Sequence, residues 1–471
     1  MSQVLAVQSP ETGNGRTGQK DKTVIIPPMP ERQTAPLSLL QTARVLRRNP
    51  VEILPVEAFE FTRISTPFFG KTVHTLSGPE EMKSVLLDEA DAWRKSPLVI
   101  RMLRPVLGES ILTAHDSVWK KQRKALQPGF LKARILALVP AMAEAACAAS
   151  QSILAASPRV DVTPALNNAA ISVIEYALFT EATAFDRNIM RKAVEDVFEG
   201  VGRTRYSDLL PLHEGTPRLM GLSAQRGRRV MRTALMKEIS ARRLSGNRNE
   251  DLLQLLLDAR DPETGAAFKD SEVRDNLISL VAAGHETTAI ALTWALYLLA
   301  IDPATQDRAA DEVRNVVGDG DITPDNVMSL TFIRQVLEET MRLYPPAPII
   351  GRRAIRDSQI AERSARRGDI AIIAFYAMQR HPRFWDNPDS FDPDRFSPER
   401  RPTDPWVYRP FGGGPRACIG NGFAMTEAMV ILATLLRDMK FAAVHGHPVK
   451  PVMTITFRPE GGLPLDISPR H

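Results

Sequence analysis

The decapeptide FGGGPRACIG, residues 411–420, places one of the chain's two cysteines inside a glycine-rich loop near the end of 471 residues. Its four glycines let the backbone bend sharply or approach another group closely. Cys418 comes just before a run with helical periodicity, and a helix N-terminus favours a thiolate over a thiol. Backbone N–H groups of such a loop can stabilise the negative sulfur further, so the stretch predicts a cysteine with a chemical role.

A thiolate in this loop is either a nucleophile or a metal ligand. A nucleophile needs a general base, and no histidine lies near Cys418 in the sequence. A metal site with a single thiolate needs its other ligands from a cofactor, and the haem ring supplies four nitrogens. The structural alternative is a tight turn around a buried cysteine. The loop alone favours a haem-thiolate site and leaves that alternative open.

The bulk composition is that of a globular protein with a sizeable core, since 44% of the residues are hydrophobic and 24% are charged. The net charge of +5 suits an acidic protein partner, a membrane surface or nucleic acid, and equally an ordinary solvated surface. No basic run or binding motif accompanies that charge, so we expect no nucleic-acid partner. Two cysteines without a CxxC pair exclude a disulfide framework and predict a reducing compartment.

Residues 1–24 are polar and contain no apolar segment of signal-peptide length, which predicts a disordered N-terminal tail. Residues 25–471 contain no repeat and no dividing linker, which predicts a single domain. The longest apolar run, residues 277–301, carries Glu286 near its middle, and a buried acid is costly in lipid. We therefore expect a helix through a protein core, no membrane anchor and a cytoplasmic protein.

Hydrophobic periodicity predicts a mainly α protein with a small β region. Two β-like runs, FTRIST and KTVHTLSG, lie between residues 61 and 78, and a mostly helical pattern continues to Pro303. Pro303 is expected to end the long apolar helix. A further helix ends at Pro345, after which we expect short extended pieces, including GDIAIIAFYAMQRHP, and a proline-rich meander. A last helix is expected after Cys418.

The loop Phe411-x-x-Gly414-x-Arg416-x-Cys418-x-Gly420 resembles the haem-binding loop of the cytochrome P450 family. The resemblance implies haem b with the Cys418 thiolate as axial ligand, Phe411 beside the sulfur and Arg416 paired with a haem propionate. It also implies the family's fold, a triangular helical domain with a small β domain, a long central oxygen-binding helix and the cysteine-ligand loop. A thiolate ligand donates electron density to the iron, which favours cleavage of the O–O bond.

Other stretches resemble the family's structural motifs, in the family's order. Glu339 and Arg342 match its ExxR pair, and three-residue spacing puts both charges on one helix face. Arg395, in the stretch PDRF, matches the arginine that completes a buried triad with them. The resemblance implies that this triad holds the meander and the cysteine loop in place.

Two more stretches resemble the family's propionate-binding elements. Trp119 and Arg123 match a WxxxR helix, in which four-residue spacing brings the two side chains together. Arg352 and Arg353 lie where the family has a strand with another propionate-binding arginine. The spacing to Asp357 favours Arg352, and Arg353 stays open.

The stretch AGHETT, residues 283–288, resembles the family's oxygen-binding groove. Gly284 costs helix stability, about 1 kcal/mol relative to alanine, and Glu286 adds a desolvation cost. The Thr287 hydroxyl can donate to the Ala283 carbonyl one turn earlier, which opens the helix slightly. The resemblance implies that dioxygen binds beside the small Ala283 and Gly284 and that Glu286 and Thr287 relay protons to it. A packing glycine with an internally bonded threonine is the alternative.

The motifs together imply a haem-thiolate monooxygenase that inserts one oxygen atom of O2 into a lipophilic organic substrate by hydroxylation or epoxidation. One alternative is a peroxide-driven peroxygenase, and another is a haem sensor or carrier without turnover. The pair of Glu286 and Thr287 favours dioxygen activation and leaves the use of peroxide open. An acid and an alcohol in that groove would have no purpose in a sensor or carrier. By family topology the substrate would meet residues 96–112, 198–220, 280–287, 347–350 and 461–463. Arg203, Arg205 and His213 are candidate contacts for a substrate carboxylate, or simply solvated.

No GxGxxG nucleotide loop is present, so we expect electrons from an external ferredoxin or flavodoxin with its NAD(P)H-dependent reductase. Lys120, Lys121 and Lys124 are expected to face outward from the helix of Trp119, on the proximal side. There they could dock an acidic partner, with ordinary solvated lysines as the alternative.

Overall fold

The fold comes from a computed structural model that describes residues 5–7, 24–180, 183, 185–202, 215–216, 218, 220–246, 248–261, 263–318 and 320–470. Within the predicted tail, Leu5–Val7 forms a strand that pairs antiparallel with Val24–Ile26. The disorder of the tail stays a prediction. The candidate carboxylate contacts Arg203, Arg205 and His213 lie outside the described residues.

Helices make up most of the described chain, as predicted. In chain order the α-helices are Leu39–Arg48 (α1), Pro79–Lys83 (α2), Pro97–Leu107 (α3), Asp116–Leu126 (α4), Lys132–Ala137 (α5), Val139–Ala156 (α6), Thr163–Leu178 (α7), Arg187–Val201 (α8), Leu222–Ser245 (α9), Leu252–Asp258 (α10), Asp270–Ile301 (α11), Pro303–Val316 (α12), Thr331–Leu343 (α13), Phe375–Met378 (α14) and Asn421–Asp438 (α15). The helix expected after Cys418 is α15.

The β region is small, and its strands are short. They are Leu5–Val7 (β1), Val24–Ile26 (β2), Arg63–Phe68 (β3), Lys71–Leu76 (β4), Trp93–Lys95 (β5), Arg159–Asp161 (β6), Ile350–Ala354 (β7), Ser358–Ile360 (β8), Arg363–Ala365 (β9), Ile370–Ile373 (β10), Met439–Ala443 (β11), Pro451–Met453 (β12), Phe457–Pro459 (β13) and Pro464–Pro469 (β14). The largest described sheet has the order β3-β4-β10-β7-β5, in which β10 runs parallel to β4 and the other neighbours are antiparallel. The β-like runs near residue 70 are β3 and β4, whereas GDIAIIAFYAMQRHP is extended only in β10 and then turns into α14.

The 32-residue helix α11 runs through the core of the protein. It ends at Ile301 because Asp302 caps the next helix, with its carboxylate accepting the Thr305 N–H at 3.1 Å. Pro303 lacks the N–H that would continue the helical ladder, so the predicted end is confirmed. No single helix in the described residues combines the length and apolarity needed to cross a membrane; α11 and α12 meet both criteria only as a pair bent by 116°.

The packing around α11 fixes the C-terminal hairpin formed by β12 and β13. Trp294 of α11 stacks on Tyr344 with 3.8 Å between ring centroids, and its indole N–H donates to the Phe457 carbonyl at 2.8 Å. Trp294 lies about two turns along the helix from Glu286. The hairpin is therefore held next to the stretch in which the sequence predicts the oxygen-binding groove.

Candidate active site

The loop before α15 is closed by its own backbone. The Cys418 N–H donates to the Phe411 carbonyl at 2.9 Å, and the Ala417 N–H donates to the Gly414 carbonyl at 3.1 Å. Gly414 has a φ of +67°, and a Cβ at this position would lie 1.7 Å from the carbonyl oxygen of Leu86. Only glycine fits there, because other residues disfavour a positive φ and their Cβ would collide with the neighbouring backbone.

The Cys418 side chain is accessible at its surface and is also closely surrounded by protein atoms. Its side chain has accessible surface, yet protein atoms enclose the thiol closely enough that burial raises its pKa. The Gly420 N–H and the Arg123 guanidinium oppose that rise. A bound metal ion would displace the thiol proton, since the thiolate is the form that ligates.

The central helix also has accessible surface in an otherwise buried stretch. Ala283 is exposed, whereas Val281 before it and Ala289 after it are buried. The Thr287 hydroxyl donates to the Ala283 carbonyl at 2.8 Å, as the sequence predicts. Ala283 and Cys418 both keep accessible surface, as residues that contact a cofactor do in its absence.

The Glu286 carboxylate is held by the C-terminal hairpin rather than by its neighbour Thr287. Its Oε1 accepts a hydrogen bond from the Thr456 hydroxyl at 2.8 Å and lies 3.6 Å from Nη1 of Arg458. Thr456 is buried and Arg458 is half-exposed, so the acid stands between the predicted oxygen-binding groove and the surface. The sequence pattern predicts the acid but not these two partners.

Three cations, which we call the cation cluster, are Lys95, Arg352 and Arg416; Arg352 is buried, and the other two are half-buried. Lys95 on β5 is the register partner of Arg352 on β7. Burial, and then the charges of Arg352 and Arg416, lower the pKa of Lys95 to about 7. Burial lowers the pKa of Arg352 and of Arg416 to about 10. Among the described residues, no carboxylate lies near enough to raise the pKa of Lys95 or Arg352.

The Asp116 carboxylate raises the pKa of Arg416 alone, so Lys95 and Arg352 remain without an anion. Enclosed charges in that condition are unfavourable, because they have lost water that nothing replaces. The remaining contacts are to neutral groups: Lys95 Nζ donates to the Leu112 carbonyl, and Arg416 Nη1 donates to the Ala114 carbonyl at 2.9 Å. A dianionic ligand would supply the missing charge. The two propionates of haem fit this requirement, so the residues present match the group that the cysteine loop implies.

Helix α4 positions the loop through both residues of its WxxxR motif. The Trp119 ring is buried and lies 3.9 Å from the Arg416 guanidinium carbon. Arg123 Nη1 donates to the Ala417 carbonyl, next to Cys418, at 2.8 Å. The structure thus brings Trp119, Arg123 and Arg416 together, and it adds a contact between Arg123 and the loop backbone that the motif does not reveal.

Strand β7 separates the two candidate arginines. Arg352 is buried opposite Lys95, whereas Arg353 is half-buried on the other face, opposite Arg94 of β5. Lys95 itself has no motif in the sequence, where it is one of 60 lysines and arginines. Only the pairing of β5 with β7 reveals it.

The predicted triad forms at the start of the meander. Glu339 and Arg342 are fully buried and make two hydrogen bonds of 2.6 and 2.8 Å, while Arg395 Nε lies 3.4 Å from the Glu339 carboxylate. Arg342 also donates to the backbone carbonyls of the following segment, at Gln379, Pro388 and Ser390. The Gln379 side chain accepts the Arg409 N–H at 3.3 Å, which connects the triad to the chain just before the cysteine loop.

One prediction about the lysines of α4 is wrong. Lys121 does not face solvent freely: its Nζ lies 2.9 Å from the Glu272 carboxylate and 4.4 Å from the centre of the Phe268 ring. The reason is its position on the side of α4 that faces the start of α11. Lys120 and Lys124 are exposed, as predicted.

A buried acid that the motifs do not include lies behind the groove. Burial raises the pKa of Glu427 on α15 to about 8, and the nearby Thr288 hydroxyl opposes this rise. Neither carboxyl oxygen has a partner in hydrogen-bond geometry. The carboxyl is therefore neutral over much of the range in which an exposed glutamate is ionised.

The pKa of Glu427 predicts a pH-dependent stability. From its ordinary pKa of 4.5 up to about 8, the unfolded chain ionises this group while the folded chain keeps the proton. Folding is therefore opposed increasingly as the pH rises, by on the order of 4 kcal/mol in total. We expect the Glu427→Gln variant to lack this loss, so that its stability relative to the parent increases between pH 5 and 8. Urea unfolding at several pH values measures this; a difference that does not change with pH contradicts the assignment.

The fold thus combines a cysteine in a glycine-closed loop, a cation cluster that a dianion would neutralise, and a long helix in which the Thr287 hydroxyl bonds to the Ala283 carbonyl. These features define the class of haem-thiolate oxygenases. The family model for cytochrome P450 matches residues 27–463, so the chain belongs to the cytochrome P450 family.

Individual relatives agree with this assignment. The chain is 30% identical over 437 residues to cyclooctatin synthase of Streptomyces melanosporofaciens, with 91% of this chain and 94% of that protein covered. It is 28% identical over 418 residues to taurochenodeoxycholic 6 alpha-hydroxylase of Sus scrofa, with 83% and 80% covered. Its fold is similar to the crystal structure of the cytochrome P450DA heme domain, with a TM-score of 0.77 at 27% identity and coverage of 87% and 90%.

The chain therefore has the cytochrome P450 fold and is a cytochrome P450 monooxygenase. The family's cofactor is haem b with a cysteine thiolate as axial ligand, and its oxidant is O2.

Proposed function

We propose that Cys418 supplies the axial thiolate and that the cation cluster holds the haem propionates. The observation that carries this proposal is that Lys95 and Arg352 are enclosed cations whose pKa no carboxylate raises, next to Arg416 in the loop of the accessible Cys418. Held in this way, haem would supply a site for dioxygen, and the Cys418 thiolate would donate the electron density that favours O–O cleavage. Phe411, Gly414 and Gly420 shape the loop around the sulfur.

Glu286 and Thr287 deliver protons to the cavity in this proposal. The Glu286 carboxylate can take up a proton at Oε1 from the side of the half-exposed Arg458, when its bond with Thr456 opens. The Thr287 hydroxyl, anchored on the Ala283 carbonyl, is placed to pass a proton into the space beside Ala283, whereas a Cβ on Gly284 would meet the Ile174 side chain at 3.1 Å. An acid next to an alcohol suits proton delivery at neutral pH.

The proposed substrate is lipophilic, and the proposed reactions are hydroxylation or epoxidation. Apolar residues in the predicted wall keep accessible surface, namely Ala347, Ile349 and Ile350. One relative is named a 6 alpha-hydroxylase, which supports oxygen insertion into a carbon skeleton. Apolar linings of this kind are usual in ligand pockets, so they support the class of substrate and not its identity.

We propose an external ferredoxin or flavodoxin as electron donor, and a cytoplasmic location for a single domain of residues 25–471. Lys120 and Lys124 are exposed on α4, whose Arg123 contacts the cysteine loop, so an acidic partner docked there would lie close to Cys418. Both cysteines are free thiols, which supports a reducing compartment.

Labelled dioxygen tests this function directly. A substrate is first found by screening lipophilic compounds for a change in haem spin state, and is then turned over with a ferredoxin, its reductase and NADPH under ¹⁸O₂. We expect one ¹⁸O atom in each product molecule. Product formed only when hydrogen peroxide replaces the electron donor would assign a peroxygenase, and binding without product in either system would assign a sensor or carrier.

The two neighbouring arginines of β7 provide a matched test of the cation cluster. We expect Arg352→Gln to speed haem transfer to apomyoglobin by about tenfold or more, because a charged hydrogen bond to a propionate is lost. Arg353→Gln, on the other face of the strand, should change the rate less than about twofold. Equal effects of the two substitutions would contradict the assignment of Arg352.

A further inference from the structure

The hairpin between β3 and β4 places aromatic rings at the edge of the largest described sheet. Phe68 pairs with Lys71, so the turn consists of Phe69 and Gly70 alone. The Phe68 and Phe69 rings are 4.7 Å apart at 86°, and Phe69 keeps 64% of its surface exposed. The Phe69 side chain is not part of the hydrophobic core, so core packing does not explain why a phenylalanine stands at this position.

The backbone at this tip disfavours phenylalanine. Phe69 has a φ of 44° and Gly70 a φ of 72°, the pattern of a type I′ turn, in which asparagine or glycine is usual at the first position. A bulky side chain at positive φ costs on the order of 1 kcal/mol. The edge-to-face contact with Phe68 is the one aromatic contact of this ring among the described residues, and most of the ring stays exposed at a strained position. Such a local conflict is typical of a functional residue.

A basic turn lies against the base of the hairpin. Because β10 runs parallel to β4, residues 366–368 come beside the start of β4, where Lys71 Nζ donates to the Arg367 carbonyl at 3.2 Å. Arg366 and Arg367 are exposed. The adjacent Asp369 is buried, and its carboxylate accepts the backbone N–H groups of Thr72 and Arg366, so it does not cover the arginine charges.

We propose that this hairpin tip inserts Phe69 into the interface of an anionic lipid membrane, with Lys71, Arg366 and Arg367 against the headgroups. Aromatic side chains favour the boundary between headgroups and acyl chains, and each cation near an anionic surface adds about 1 kcal/mol. A protein partner is a poorer match, since a protruding tip of two rings is far smaller than the roughly 800 Å² per partner of a stable interface. The proposal concerns a peripheral contact and does not depend on the haem chemistry.

The test is co-sedimentation of the full chain with vesicles of phosphatidylcholine alone or with phosphatidylglycerol. We expect binding to the anionic vesicles that weakens with salt, and a loss of about fivefold or more in Phe69→Asn. Replacing both Arg366 and Arg367 by glutamine should weaken binding by about tenfold or more. Leu244→Asn, which removes another highly exposed apolar side chain at the end of α9, should bind like the parent.

Thermal unfolding separates this role from a structural one. Asparagine tolerates positive φ better than phenylalanine, so Phe69→Asn should unfold at the same or a higher temperature than the parent. Lack of parental binding to anionic vesicles, or equal binding by Phe69→Asn, overturns the proposal. Self-association that disappears in Phe69→Asn, without vesicle binding by the parent, would instead assign the tip to contact with a second copy of the chain.

Discussion

The variant Glu339→Gln is expected to lose about 3–5 kcal/mol of folding free energy and most of its bound haem. Glu339 is fully buried between Arg342 and Arg395, with hydrogen bonds of 2.6 and 2.8 Å to the former. The substitution removes the carboxylate partner of the fully buried Arg342 and leaves Arg395 with the more weakly placed Asp392. Arg342 also donates to three backbone carbonyls of the meander. A displaced Arg342 would therefore disturb the segment that leads into the cysteine loop.

The preceding residue offers a matched control. Glu338 is also buried, but its ion-pair partners Arg334 and Arg401 are 47% and 43% exposed and can return to water when the charge is removed. We therefore expect Glu338→Gln to cost about 1 kcal/mol. Thermal unfolding and haem content per chain measure both effects. Similar losses of stability and haem in the two variants would show that the triad does not stabilise the fold more than the neighbouring ion pairs do.

Replacing Thr287 by alanine is expected to separate electron use from product formation. The hydroxyl on the Ala283 carbonyl is the proposed last proton donor before the cavity, and general acid groups of this kind contribute large rate factors. We expect product per NADPH to fall at least about tenfold while hydrogen peroxide rises, with haem binding unchanged. Thr287→Ser, which keeps the hydroxyl, should restore most of the product yield.

Thr293 on the same helix controls for the loss of a helical side-chain bond. Its hydroxyl donates to the Ala289 carbonyl at 2.7 Å and is buried away from the groove. Thr293→Ala therefore removes the same kind of bond and should keep the parental ratio of product to NADPH. A low ratio in both variants would assign the effect to helix geometry and not to proton delivery.

Several features of the site could be predicted from the sequence because they depend on local spacing. The bond from Thr287 to Ala283 follows from a four-residue helical step, and the pair of Glu339 and Arg342 from a three-residue step. The positive φ of Gly414 likewise follows from a loop that only glycine can close. Local geometry is enough to predict these contacts, because the partners are three or four residues apart in one helix or lie within one loop.

Other features depend on which distant segments meet, and the sequence contains no spacing signal for them. Lys95 joins the cation cluster only because β5 pairs with β7, and Glu286 meets Thr456 only because the C-terminal hairpin packs on α11. The helical pattern predicts an outward-facing Lys121, but this side chain pairs with Glu272 because α4 packs near the start of α11. Arg352 and Arg353 are adjacent in sequence, and strand pairing determines which of them faces Lys95.

The central claim is that Cys418 is the thiolate ligand of a haem, and the absorption spectrum of the reduced protein with carbon monoxide tests it most directly. The parent and Cys418→His are purified side by side and compared at equal haem concentration. We predict a strongly red-shifted Soret band in the parent that is lost in Cys418→His, whose spectrum should resemble a histidine-ligated haem. A parent spectrum of the histidine-ligated type, or a red-shifted band that survives in Cys418→His, would contradict the assignment of Cys418.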